Sequence, residues 1–188
     1  MEAKITYFDK PGRENTDVVL EIVKRHSRES GIKTVVVASY QGYTAGRAIQ
    51  VLDGLKVIVV AGFLEPTDKN LAETFTQGNE SLIRSRATVL ITTHLFSGVN
   101  RAMRKKFDSS SPGEIIAQTL RIVGTGVKVG IECTVMAADA GLVSTEEDVI
   151  AVAGTRSGAD TAIVLRPVHS QDLFDLKVKE ILCKPLVG

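Results

Sequence analysis

The sequence carries almost no net charge. Its 23 lysines and arginines face 22 aspartates and glutamates, leaving +1 at neutral pH. That balance removes the whole-chain electrostatic case for nucleic acid or an anionic membrane surface as partner. The one local basic run, Arg101, Arg104, Lys105 and Lys106, falls at the end of an expected helix, where cations oppose the negative end of the dipole; it reads first as a solvated helix terminus and second as a phosphate-binding patch. Cysteine is scarce. Cys133 and Cys183 are far apart in apolar stretches and read as two buried thiols in a reducing compartment. The histidines His26, His94 and His169 show no metal spacing with each other or with the cysteines, so no metal site is expected. Long apolar runs are missing too. The longest, Val57 to Leu64, is far short of the roughly 20 residues a membrane span needs. The start "MEAKITYFDK" does not read as a signal peptide, and a cytoplasmic location is expected. Several catalytic signatures are absent: no GxGxxG follows the first strand, and there is no P-loop, GxSxG elbow or HExxH.

What is present is a strand–helix alternation. Lys33–Ser39, Lys56–Gly62 and Ala87–Thr93 are rich in β-branched residues and apolar on both faces, as strands buried between helical layers are. Helices are expected over Asn15–Ser30, with Gly31 as a stop, over Thr44–Leu52, and over Asn79–Ser85. "SPGEIIAQTLRIV" opens like a capping box, with Ser111 at the N-cap, Pro112 at the first helical position and Glu114 three residues on. The segment 127–140 is ambiguous: it alternates like a strand and ends like a helix. As one helix it would set Lys128, Glu132 and Asp139 along one side. Val149–Ala153 and Thr161–Arg166 are two further strands. Their seven-residue link, "GTRSGAD", is too short for a crossover, so the pair should be antiparallel. The tail "LKVKEILCKP" reads as an edge strand guarded by lysines. Glu65–Gly78 is the least regular stretch and reads as a long surface loop, a candidate lid. All 188 residues form one α/β domain.

In an open parallel sheet, ligands bind beyond the carboxyl ends of the strands. The loops that follow the strands should therefore share one rim. In 39–44, a helix starting near Thr44 leaves unpaired amides that favour an anion, Gly42 allows close backbone approach, and Ser39 and Thr44 add hydroxyls. A threonine that merely caps its own helix is the competing account. The loop Gly154-Thr155-Arg156-Ser157-Gly158-Ala159-Asp160-Thr161 suits an oxygen-rich ligand equally as it suits a hairpin with a solvated arginine. In "THLFSG", Thr93 and His94 follow a strand, and His94 can act as acid or base near neutral pH, although a structural histidine is commoner. Lys128 and Glu132 read first as an ion pair and second as catalytic groups. Tyr40 and Tyr43 read as packing or as a stacking surface for a planar ring.

Three stretches together resemble the C-terminal domain of pyruvate kinase. They are "LEIVKRHSRESGIKTVVVASYQGYTAGRAI", with Gly42, Thr44 and Ala45 at the loop positions, "AADAGLVSTEEDVIAVAG" and "GTRSGADTAIVLRPV". The similarity extends over most of residues 15–168 and is closer still to stand-alone, archaeal-type relatives of that domain. It implies a three-layer α/β/α sandwich on a mixed five-stranded core sheet, order 3-2-1-4-5 with strand 5 antiparallel, and extra terminal strands. It makes 127–140 a helix. It implies a phosphate grip at Ser39, Gln41, Gly42, Tyr43 and Thr44. A catalytic (β/α)₈ barrel takes about 250 residues, more than this chain, so pyruvate kinase activity is not expected. The stand-alone group is similar to FMN-binding proteins. A non-covalent FMN would put its phosphate at the 39–44 loop and its ring near Thr93, His94 and the Gly154–Thr161 loop, with Gly62 leaving room. The alternatives are a regulatory sugar-phosphate or nucleotide-binding module, and an enzyme acting on a phosphorylated metabolite through His94 with Glu132 or Asp160. A homo-oligomer is compatible with each.

Overall fold

The computed structural model describes residues 4–62 and 80–187. The expected loop or lid at Glu65–Gly78 lies outside these residues. One sheet of seven strands organises the chain, in the order β1-β7-β6-β5-β2-β3-β4. The strands are β1 (Thr6–Phe8), β2 (Thr34–Ala38), β3 (Lys56–Ala61), β4 (Thr88–Ile91), β5 (Val149–Ala153), β6 (Thr161–Arg166) and β7 (Lys177–Pro185). The sheet has seven strands, more than the five-stranded core implied by the resemblance: β4-β3-β2-β5-β6 form that core, and the terminal strands β1 and β7 extend it beyond β6. β6 runs antiparallel to both β5 and β7, and the other pairs are parallel.

The tail strand is also corrected. β7 is not an edge, because β1 pairs with its end at Thr6–Cys183 and Phe8–Pro185. Lys177 and Lys179 lie at its opposite, exposed end, beyond the reach of β1, while Lys184 stands in register with Tyr7. The segment 127–139 is helix, with Ala140 as its C-cap.

The helices are α1 (Thr16–Ser30), α2 (Tyr43–Val51), α3 (Glu80–Arg86), α4 (Val99–Phe107), α5 (Pro112–Arg121) and α6 (Thr125–Asp139). Period-two alternation splits the strands between two cores. Val35, Val37, Val57 and Val59 face α1, α2 and α3 on one side, through Val19, Leu20, Ala48, Ile49 and Ile83. Val36, Ile58, Ala151 and Ile163 face α6 on the other, through Val127, Ile131 and Ala137. The result is three layers, with α5 packed on the outer side of α6.

α1 stops where Gly31 turns left-handed (φ 80°) and its amide donates to Ser27 O at 3.0 Å. α6 is buried on nearly every side, which is why its sequence shows no helical stripe. A Cβ at Gly126 would clash with the Thr161 side chain, and one at Gly130 would crowd Ile163 and Ala151 at 3.3 and 3.4 Å. These glycines let the helix axis approach β5 and β6. Ser111 is the N-cap of α5, but no side-chain cap forms and its buried hydroxyl has no partner. Glu114 pairs instead with Arg104 from α4 (Nε–Oε2 3.2 Å), so the expected capping box is not made. No helix among the described residues is long and apolar enough to cross a membrane.

Candidate functional site

β2, β3, β4 and β5 are parallel, so the loops beyond Ala38, Ala61, Ile91 and Ala153 meet at one end of the sheet. Two adjoining cavities open there. The first, about 520 Å³, lies between α4, α5 and α6. The second, about 390 Å³, lies over the carboxyl ends of β2 and β3, under the 154–158 loop. Tyr40 and His94 line both.

The second cavity is built by the start of α2. Gly42 takes a left-handed conformation (φ 84°), a shape glycine adopts at little cost, and turns the chain from β2 into the helix. The helix closes with Gly46 N–H to Gly42 O at 2.8 Å. Of the first amides, Ala45 N donates to Ser39 Oγ at 3.1 Å. Ser39 thus caps from outside the helix. The Tyr43 and Thr44 amides donate to no atom among the described residues. Ser39, Gln41, Tyr43, Thr44 and Gly62 all line this cavity, together with Gly154, Thr155, Arg156 and Gly158.

Other expected residues are placed differently. Asp160 is fully buried and its carboxylate is committed. Oδ2 accepts from Gly12 N at 3.2 Å and Thr155 N at 3.0 Å, and Oδ1 accepts from Thr161 Oγ1 at 2.8 Å. Ala159 is held from behind, its amide donating to Thr16 Oγ1 at 3.0 Å. Asp160, Ala159 and Thr161 therefore brace the loop and line neither cavity. Thr93 is exposed and lines neither. The space beside Gly62 is taken by the Tyr40 ring, which lies against its Cα where a Cβ would stand. One face of Tyr43 carries the Arg13 guanidinium, 3.4 Å from the ring centroid.

The floor between the cavities is a buried polar cluster. Glu132 has no exposed surface. Its Oε1 accepts from Phe96 N at 2.9 Å, and Oε2 meets His94 Nδ1 at 3.2 Å and the Lys128 ammonium. Burial pushes the Glu132 carboxyl pKa up, but the His94 hydrogen bond and the Lys128 charge outweigh it and bring the value to about 2. Glu132 is therefore a carboxylate at neutral pH. Around it, Arg101, Arg104 and Arg121 add cations to the first cavity; Arg101 and Arg104 belong to the basic run of α4, and Arg121 does not. Arg121 on α5 and Lys128 on α6 reach the same space as α4 only through the tertiary fold, so no local motif marks them.

The remaining titratable candidates are silent. Both cysteines are buried and unpaired, and burial pushes their thiols up, Cys183 to about 12. Among the described residues no three His, Cys, Asp or Glu groups converge as metal ligands.

The family model described as "Pyruvate kinase, alpha/beta domain" matches residues 17–165. The chain belongs to that family. Among solved structures it is similar to a pyruvate kinase from Cryptosporidium parvum, at 12% identity and a TM-score of 0.43, over 80% of this chain and 22% of that one. It is also similar to Cryptosporidium parvum pyruvate kinase in complex with ADP, at 12% identity and a TM-score of 0.40, over 93% of this chain and 25% of that one. The chain thus spans no more than a quarter of the length of these pyruvate kinases.

Proposed function

We propose that this pyruvate kinase alpha/beta domain binds a phosphorylated small molecule, with FMN bound non-covalently as the first choice. The supporting observation is the pair of unpaired amides, Tyr43 and Thr44, at the start of α2, beside a cavity of about 390 Å³. Unpaired first-turn amides and the positive dipole end stabilise an oxyanion, by roughly 0.3–1 kcal/mol where exposed and up to about 2 where partly buried. Arg156 lines the same cavity and supplies a guanidinium. A phosphate occupies the α2 start, and the rest of the ligand lies towards His94 and the 154–158 loop.

The test is absorbance and fluorescence of the protein titrated with FMN. A saturable shift of the flavin bands, lost to competition by excess inorganic phosphate, is expected. A flavin spectrum identical with and without protein removes FMN.

The second reading, a phosphorylated metabolite without a flavin ring, is favoured by the Tyr40 ring against Gly62, which fills the space a planar ring would use. Melting-temperature shifts with sugar phosphates but not with FMN select it.

A further inference from the structure

The first cavity holds one guanidinium that nothing in its lining engages. Arg104, Arg121 and Lys128 line it with the carboxylates of Glu114 and Glu132. Each carboxylate already has its own cation: Glu114 pairs with Arg104, and Glu132 with Lys128. The Arg121 side chain makes no hydrogen bond, ion pair or ring contact among the described residues, yet it lines the cavity. A guanidinium at the end of α5 gains a little from the helix dipole, but that gain needs only solvent, not a cavity of about 520 Å³. Ser97, Asn100 and Gln118 add neutral hydrogen-bonding groups to the lining with His94, and Phe96 and Ala117 add apolar ones. A planar fork among neutral donors suits a carboxylate or phosphate.

The Tyr40 ring stands between this cavity and the α2 start, lining both and packed onto Gly62. With the ring in that place, a molecule in the first cavity and one at the α2 start occupy separate spaces. His94 borders both spaces. Its Nδ1 is held by Glu132, which leaves Nε2 as the free ring nitrogen.

We infer that the first cavity is a second ligand site, one that takes a small oxyanion-bearing molecule through Arg121, with His94 shared between the two sites. The first site is that of the reading above; the second stands without it.

Inorganic phosphate and malonate, each titrated at constant ionic strength, serve as probes. The readouts are the Arg121 side-chain and His94 ring resonances for the first cavity, and the Tyr43 and Thr44 amide resonances for the α2 start. Saturable shifts at Arg121 and His94 are expected. In Arg121→Gln the affinity read at His94 should fall about tenfold or more, while phosphate shifts at Thr44 are unchanged. Because Arg121 is exposed, this variant should fold as the parent does. Malonate acting alone marks the ligand as a carboxylate, phosphate acting alone marks it as a phosphate ester, and both outcomes support the site. Equal affinities in parent and Arg121→Gln, or shifts reproduced by sodium chloride, overturn it. Loss of the Thr44 response with the His94 response intact would remove the proposed function and leave this site standing.

Discussion

Nδ1 of His94 lies 3.2 Å from Oε2 of Glu132, a carboxylate with no exposed surface. The contact joins a loop after β4 to the middle of α6, where the two cavities meet.

Glu132 makes stability depend on acid. Its carboxyl is held at about 2, below the ordinary value of 4.5. A depressed carboxyl contributes stability that is fully present above its unfolded value and disappears as pH falls through the folded one. Urea midpoints should therefore be level, as far as this group is concerned, down to about pH 4.5, then decline towards pH 2. Glu132→Gln leaves the Lys128 ammonium buried without its counter-charge, a change that costs about 3–5 kcal/mol. The variant should show a lower midpoint at pH 7 and a shallower decline below pH 4.5. A decline as steep as the parent's would assign the acid sensitivity to other groups.

Gly126 tests the approach of α6 to the sheet. A methyl there meets the Thr161 side chain at the start of β6, with Asp160 Oδ1 3.2 Å away. Both neighbours are buried and hydrogen-bonded to each other, so neither yields easily. Gly126→Ala adds helix propensity worth up to about 1 kcal/mol, but overpacking costs about 1–3 kcal/mol. Net destabilisation is expected in chemical denaturation. A variant more stable than the parent would mean that α6 can slide outward at no cost.

This helix also shows where sequence reading stops. The strands β2, β3, β5 and β6 were legible because a strand buried on both faces is written in β-branched residues. The β5–β6 pairing followed from the length of its link. α6 was not legible from periodicity. A helix buried all round has no polar face, and its glycines, Gly126 and Gly130, record a neighbour that is distant in sequence. The capping pattern at Ser111 misled because Glu114 is drawn to Arg104, a residue on another helix. Of the candidate site, the α2 start could be read, since a glycine turn into a helix is a local event. The cationic cavity could not, because Arg104, Arg121 and Lys128 come together only when α4, α5 and α6 pack. Nor could the burial of Asp160, whose partner Gly12 is 148 residues away.

Asp160 braces the 154–158 loop from behind. In Asp160→Asn the remaining oxygen can still face the amides of Gly12 and Thr155, but those bonds lose the assistance of the charge and the Thr161 hydroxyl loses its acceptor. Unsatisfied buried donors cost about 1–3 kcal/mol each. Amide hydrogen exchange at Gly12 and Thr155 should accelerate, and FMN or phosphate affinity should weaken, because Arg156 is carried on that loop. Unchanged exchange at both amides would show that the loop holds its shape without the carboxylate.

Tyr40 separates the two readings of the ligand. It is 50% exposed, so Tyr40→Ala should alter stability little. Its ring lies on Gly62 and must leave before a flavin ring can enter there. If FMN is the ligand, the parent expends part of its binding energy on displacing that ring, and Tyr40→Ala should bind FMN more tightly. Ribose 5-phosphate, which carries the phosphate and no planar ring, should bind parent and variant alike. Side-by-side calorimetric titrations provide the comparison. Equal gains for both ligands would show that Tyr40 obstructs the phosphate subsite itself, and a loss confined to FMN would show that the phenol ring is a stacking partner and not an obstruction.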